Sequence, residues 1–445
     1  MAKTCFVAEV TLWIKSLSNL LHQGNAWRLA PLLWGLLFAR GRRTVACWLR
    51  TAELGDDYQG YYYFLGSLGR NVKSVAGALL RVAVNVICPG ERLLFAIDDT
   101  PTKRYGKHVE GAGIHHNPTP GPAEQKYLYG HVWVTLAWVV RHASWGTIGL
   151  PLLAFLYVRR ANLDSIAPWY KVQFQTKLEQ AAALIAWAAC YAKLLEKKLW
   201  FVVDGAYIKK PVFQAARKVG ATLVGRLRCD AALWSVPEAV APGKRKRGRP
   251  RKYGKDRISL AKRAGHRQGW SRATFTLYGV AKVVCYKTFL ATYEPADGLI
   301  RVVIVREPDG SWRAYCCTDV DATVAEILEA VADRSAIEQD FHDLKEVHGA
   351  GQQQLRNYWA NIAAYHLTMW LHTLIEVWAW HKPHAELVDR SASPWDDASR
   401  RPSHADRRNA LRHRCLEEEF QREIASDSLS QKLRRAFSRL KKLAV

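Results

Sequence analysis

Three acidic residues stand where phosphodiester chemistry would need them. Asp98 closes the apolar run LLFAI, Asp204 closes LWFVV, and Glu338 lies inside DRSAIEQDFHDLK. Two carboxylates at strand ends and a third on a nearby helix can hold two Mg²⁺ about 3.5–4 Å apart, one to sharpen an attacking water or hydroxyl and one to steady a leaving oxygen. Magnesium suits such a site because it prefers hard oxygen ligands and shares its shell with phosphates, and Mn²⁺ is expected to substitute. An acid after an apolar strand is common in turns and caps, so the coincidence of three carries the argument. Offsets of four and seven residues return to nearly one helix face. Arg334 and Lys345 therefore flank Glu338 either as a surface ion-pair ladder or as cations that grip the DNA backbone. Asp98 followed by Thr100 fits the Asp-x-Thr pattern of a first ligand and leaves Asp99 as its neighbour, with Asp99 as the alternative ligand.

The elements that must position these acids change character along the chain. Residues 1–88 predict a helical domain in which Arg40, Arg42, Arg43, Arg50 and Arg70 surround apolar positions at helical spacing. Arg42 and Arg43 are its candidate DNA contacts, and a helix-turn-helix and a plain bundle fit equally. From Pro89 the pattern turns to strands at 93–98, 129–140 and 148–158, then a long helix over 165–198, a strand at 199–204, a helix at 211–220 and a strand at 221–228. Three strands, a helix, then strand–helix–strand is the order of a ribonuclease-H-like core, an α/β fold in which the first and fourth strands are neighbours. Residues 229–320 predict a β-rich insertion, and helix returns from Ala322 through Glu338 as one run. The core is thus expected over 89–228 and 321–380, with 381–445 a polar linker and a basic helical tail.

Composition points the same way. The 445 residues carry 65 Lys and Arg against 40 Asp and Glu, a net charge of +25, which suits a partner that is a polyanion. Seven of the nine residues in KRKRGRPRK are basic: Lys244, Arg245, Lys246, Arg247, Arg249, Arg251 and Lys252. GRPRK resembles the minor-groove-inserting core of an AT-hook, and plain attraction to phosphates is the alternative. The nine cysteines form no CxxC pair, which predicts neither a zinc nor a redox motif but reduced thiols in a cytoplasmic protein. The run at 29–39 is too short to span a bilayer, and Asn361, His366, His372 and Glu376 interrupt the apolar helix over 358–380, so no membrane segment is expected. His115, His116, His131 and His142 are irregularly spaced and read as core or solvent-facing histidines rather than metal ligands.

Arg334, Glu338 and Lys345 match the Arg-Glu-Lys part of the YREK signature of DDE insertion-sequence transposases of the IS-four superfamily. DDTPTKRYGKHVEG resembles that family's first-acid block, FVVDGAY its second and IEQDFHDLK its third; GRRTVACWLR and FLGSLGR are similar to its amino-terminal blocks. The resemblance departs at Val331, where the signature has tyrosine. It implies an enzyme that binds the inverted-repeat ends of its own element, cuts them with water at a two-metal site of Asp98, Asp204 and Glu338, and joins the freed 3′-OH to target DNA. It also implies double-stranded DNA as partner, a homodimer in the synaptic complex and a place on the bacterial nucleoid. The rival readings are a non-transposing nuclease of the same fold and a DNA-binding regulator without catalysis.

Overall fold

The computed structural model describes residues 5–117, 125–238, 251–390, 395–397 and 399–425. The amino-terminal part is helical throughout: α1 (Ala8–Ser18), α2 (Gln23–Ala26), α3 (Leu29–Phe38), α4 (Val45–Thr51) and α5 (Tyr58–Ile87). Every residue of α3 except Ala30 is buried, so the short apolar run is a core helix. On α5, Tyr61, Phe64, Leu65, Leu68, Val72, Val75 and Leu79 recur every three or four residues and bury one stripe.

The core strands are β1 (Arg92–Lys103), β2 (Gly113–His116), β3 (Tyr127–His142) and β4 (Gly146–Tyr157). They pair antiparallel, β4 and β2 on β3 and β3 on β1. Two 3₁₀ turns follow, then α6 (Lys177–Ala192), β5 (Lys198–Val203), α7 (Lys210–Lys218) and β6 (Thr222–Leu227). β5 lies parallel to β1 and β6 parallel to β5. The order β4-β3-β1-β5-β6, with the first three antiparallel and the last two reached through helices, is the ribonuclease-H-like arrangement expected. The helix before β5 is shorter than its apolar pattern suggests. Pro168 sits in a 3₁₀ turn, and Thr176 with Glu179 forms a capping box in which each side chain accepts the other's backbone N–H, so the helix starts there.

The insertion supplies β7 (Leu233–Trp234), β8 (Arg257–Ile258), α8 (Leu260–Gly265), β9 (Ser271–Leu277), β10 (Val280–Tyr293), β11 (Gly298–Arg306) and β12 (Trp312–Cys317). The expected core stops at 228, yet these strands of the insertion continue the core sheet. β12 pairs antiparallel with β6, giving the path β2-β3-β1-β5-β6-β12-β11-β10-β7-β8. Alone, β6 would present a row of unpaired N–H and C=O groups, and β12 satisfies them.

The last elements are α9 (Val324–Asp333), α10 (Ser335–Glu346), α11 (Tyr358–Ala379), α12 (His384–Leu387) and α13 (His404–Ala425). The expected single helix through Glu338 is thus broken at Arg334. All of α11 but Trp359 is buried, yet no helix among the described residues is long and apolar enough to cross a membrane. Some of its polar groups find internal partners: Asn361 Nδ2 donates to the Leu355 carbonyl, and His366 accepts from the Ala154 N–H. Gly69 lets α5 meet α11, because a Cβ there would stand 2.0 Å from the Trp359 carbonyl oxygen. One continuous apolar cluster joins α1, α3 and α5 to α11 and the sheet. The described part of the basic tail is partly interior, with Leu411 and Cys415 on α13 fully buried.

Candidate active site at the carboxyl ends of two strands

The two aspartates are brought together by register. Residues 93–97 of β1 and 200–203 of β5 are buried and parallel, with Ile97 opposite Val203, so Asp98 and Asp204 follow side by side where the two strands stop pairing, although β1, expected to end at Asp98, runs on against β3 to Lys103. Asp98 and Asp99 then point to opposite faces, as successive strand residues do. Asp98 Oδ1 accepts the Asp99 backbone N–H at 2.8 Å and Oδ2 accepts Arg334 Nη1 at 2.6 Å. On the other face Asp99 is clasped by Lys177 Nζ and the Tyr207 hydroxyl, each at 2.6 Å. Asp204 caps the 3₁₀ turn Gly205–Tyr207, accepting the Ala206 N–H.

Glu338 reaches this end of the sheet from the first turn of α10. Arg334 Nη2 donates to Glu338 Oε1 at 2.6 Å while Nη1 holds Asp98, so one guanidinium spans two acids from different elements. The break between α9 and α10 gives Arg334 this position. It is anchored from behind, where Arg141 pairs with Asp333 at 2.8 Å and Glu329 at 2.9 Å and Thr147 Oγ1 donates to Asp333 at 2.7 Å.

Burial pushes the Asp98 carboxyl up to about 6; the Arg334 charge opposes this, and the charges of Asp99 and Asp204 add to it. Burial works against the Arg334 charge, yet Asp98, Glu338 and Asp204 together hold it above its ordinary value. Tyr207 is raised by burial and then by Asp99, so it remains a donor. The site therefore concentrates negative charge that one arginine partly offsets. Its donors are all hard carboxylate oxygens, the set that fits Mg²⁺ or Mn²⁺. The oxygens of Asp98, Asp204 and Glu338 do not all lie within 4.8 Å of one another; the one such group among the described residues is Asp343, His372 and His404.

Other residues singled out in the sequence fall elsewhere. Lys345 is half-buried near the end of α10, and Val331 packs against the apolar cluster between α9 and the sheet. Arg43 ties α4 to the end of α10, donating its backbone N–H to Gln352 and its guanidinium to the Glu346 carbonyl, and burial lowers its pKa. Arg42 is exposed, its guanidinium 5.9 Å from the centre of the Tyr105 ring. Arg251 is exposed, and Lys252 pairs with Asp297 at 2.5 Å. Lys244, Arg245, Lys246, Arg247 and Arg249 lie outside the described residues. His131 is wholly buried, between the Arg104 guanidinium and the Glu110 carbonyl. Sequence reasoning missed Arg141, Asp333, Lys177 and Tyr207. Tyr207 and Asp333 each lie within three residues of an acid or of Arg334, whereas nothing local marks Arg141 or Lys177.

A family described as DDE superfamily endonuclease matches residues 17–278 of this chain, a span that holds Asp98 and Asp204 and stops short of Glu338. Among solved structures, a piggyBac transposase in a synaptic complex with hairpin DNA is similar to 79% of this chain at 10% identity and a TM-score of 0.36. This chain covers 57% of that transposase chain. No curated protein matches the sequence.

Proposed function

This chain belongs to the DDE superfamily endonucleases, and from that premise we propose that it is a DNA transposase. In this reading it binds the inverted-repeat ends of its own element, cuts them by hydrolysis and transfers the freed 3′-OH to target DNA. The observation that carries the proposal is the placing of Asp98 and Asp204 side by side where parallel β1 and β5 stop pairing, with Glu338 linked to Asp98 through Arg334.

Asp98, Asp204 and Glu338 would hold two Mg²⁺, for which Mn²⁺ substitutes. Bound there, the ions supply activation of the attacking water or hydroxyl and stabilisation of the leaving oxygen. Arg334 keeps the acids paired in the meantime. Its planar fork matches two phosphate oxygens as well as it matches two carboxylates, so it is the residue to exchange acids for the scissile phosphate. Lys345 adds a backbone contact on the same helix. Lys177 and Tyr207 keep Asp99 turned to the opposite face, leaving Asp98 as the ligand on the side of Arg334. The helical region 1–88, with exposed Arg42, and the basic run 244–252 would carry the remaining DNA contacts, and two copies would hold two ends.

The test is a paired-end strand-transfer assay on DNA carrying the inverted repeats that flank the gene. Joined products with Mg²⁺ and none with Ca²⁺ are expected. Cleavage without joining would favour a non-transposing nuclease, and binding without cleavage a regulator. Replacing the basic residues of 244–252 with serine should weaken DNA binding and flatten its salt dependence, by about 0.9 in log–log slope for each phosphate that is no longer neutralised. Equal weakening on all sequences marks a backbone grip, and a selective loss on A·T-rich DNA marks groove insertion. Unchanged affinity on both would remove this run from the interface.

A further inference from the structure

Away from the strand ends, α10, α11 and α13 close with β4 around a cavity of about 250 Å³. Its walls gather Asp340 and Asp343 from α10, His372 and Glu376 from α11, and His404 from the first turn of α13. His372, His404, Asp340 and Glu376 are each at most 3% exposed, so water does little to offset their charges. Three carboxylates meet one guanidinium paired to them, Arg407 on Glu376 at 2.8 Å.

The cluster has the composition and spacing of a metal-ligand set. One ligand atom from each of Asp343, His372 and His404 lies within 4.8 Å of the others. His372 Nε2 stands 3.9 Å from Asp343 Oδ2 and 4.0 Å from Asp340 Oδ1, too far for hydrogen bonds. Those gaps are a few tenths of an ångström wider than the about 3.3–3.6 Å between tetrahedral ligands that each sit about 2.0–2.2 Å from an ion, so a small closure of the side chains would seat one. Asp340 Oδ2 and His372 Nδ1 have no hydrogen-bond partner although both are buried. Gly149 leaves the room in which Asp340 stands, since a Cβ there would overlap its carboxylate. His404 is already oriented as metal-binding histidines are: Nδ1 lies 2.5 Å from Glu376 Oε1, which fixes that nitrogen as the donor and leaves Nε2 a lone pair. His348 Nε2 lies 2.7 Å from that nitrogen, a contact that an ion taking the lone pair would displace.

We propose that Asp343, His372 and His404, with Asp340 as fourth ligand, form a second metal site that takes a zinc-type divalent cation. Two imidazoles with carboxylates select Zn²⁺ over Mg²⁺, which favours oxygen alone. The site would cross-link α10, α11 and α13. Because Asp340 and Asp343 follow Glu338 on α10, it would fix the helix that presents Glu338. The inference does not depend on what the strand-end site cleaves.

The experiment uses the full-length protein, stripped with chelator, reloaded with Zn²⁺ alone and desalted, with bound zinc measured by elemental analysis and Tm followed in parallel. One zinc per chain and a Tm that rises on loading are expected, since an ion that binds only the folded state stabilises it. Asp98→Asn and Asp204→Asn should keep that zinc, and Co²⁺ loading should give the visible absorption of a four-coordinate site. Glu376→Gln leaves all ligands in place and should weaken Zn²⁺ binding by about 10–100-fold, while His372→Ala should abolish it. Should His372→Ala fail to fold, the wild-type stoichiometry and Glu376→Gln decide. Absence of zinc and of any Tm change in the wild type would overturn the proposal, as would loss of the zinc in Asp98→Asn.

Discussion

Alanine in place of Asp98, Asp204 or Glu338 is expected to lower the single-turnover rate of DNA cleavage by at least about 10³-fold, roughly 4 kcal/mol of transition-state stabilisation. Binding of end DNA should stay within a few-fold, because the loss falls on chemistry and not on the broad basic surface. Full cleavage by any one of the three would refute the assignment. Asp98→Asn should also do the opposite to stability. Burial holds the Asp98 carboxyl at about 6 against an ordinary 3.8, so the folded state binds this proton more tightly than the unfolded chain does. The stability this group contributes is therefore complete below about pH 4 and is lost as pH rises through about 6. In EDTA at pH 7.5, Asp98→Asn should gain about 1–3 kcal/mol over the wild type. The gain should fade toward about pH 4. A destabilised Asp98→Asn at pH 7.5 would mean that the bond to Arg334 outweighs the burial of the charge.

Arg334→Lys should reduce cleavage by about 10–100-fold although the charge is kept. A lysine has one ammonium on a flexible stem and cannot present two parallel donors to Asp98 and Glu338, nor a fork to phosphate. DNA affinity should change little, since one contact is a small part of a surface with net charge +25. If Arg334 serves only as a structural clasp, the variant would instead melt earlier and cleave normally. Tm and single-turnover rate on the same preparation separate the two.

The core strands were legible because they are buried on both faces, and such strands read as unbroken apolar runs. LLFAI and LWFVV could hardly be anything else, whereas the continuation of β1 past Asp98, with Thr100 and Thr102 buried, carries no apolar run to announce it. The spacing of Arg334 and Glu338 was also legible, since a four-residue offset on a helix predicts the contact that forms. The break at Arg334 was not, because Val324, Ile327, Leu328 and Val331 continue a helical period into the next helix without a glycine or proline to mark the turn. Pairing of β12 with β6 joins segments some ninety residues apart and leaves no local trace. The same holds for the histidine cluster: His348, His372 and His404 belong to three parts of the chain with no ligand-like spacing, and only packing of α13 onto α11 brings them together.

The unbroken sheet also works as a ruler. The strands β7 and β8 that flank the basic run 244–252 stand five and six places from β5, the strand that ends in Asp204. At about 4.8 Å per place along the hydrogen-bonded direction, β8 lies roughly 29 Å from β5. One turn of B-form DNA is about 34 Å, so a duplex lying along the sheet would meet the base of the basic run a little less than one turn from the acids. A hinged domain would let that interval vary. Hydrogen bonds from strand to strand fix it, so under the proposed function the interval between cut and grip would be a property of the backbone.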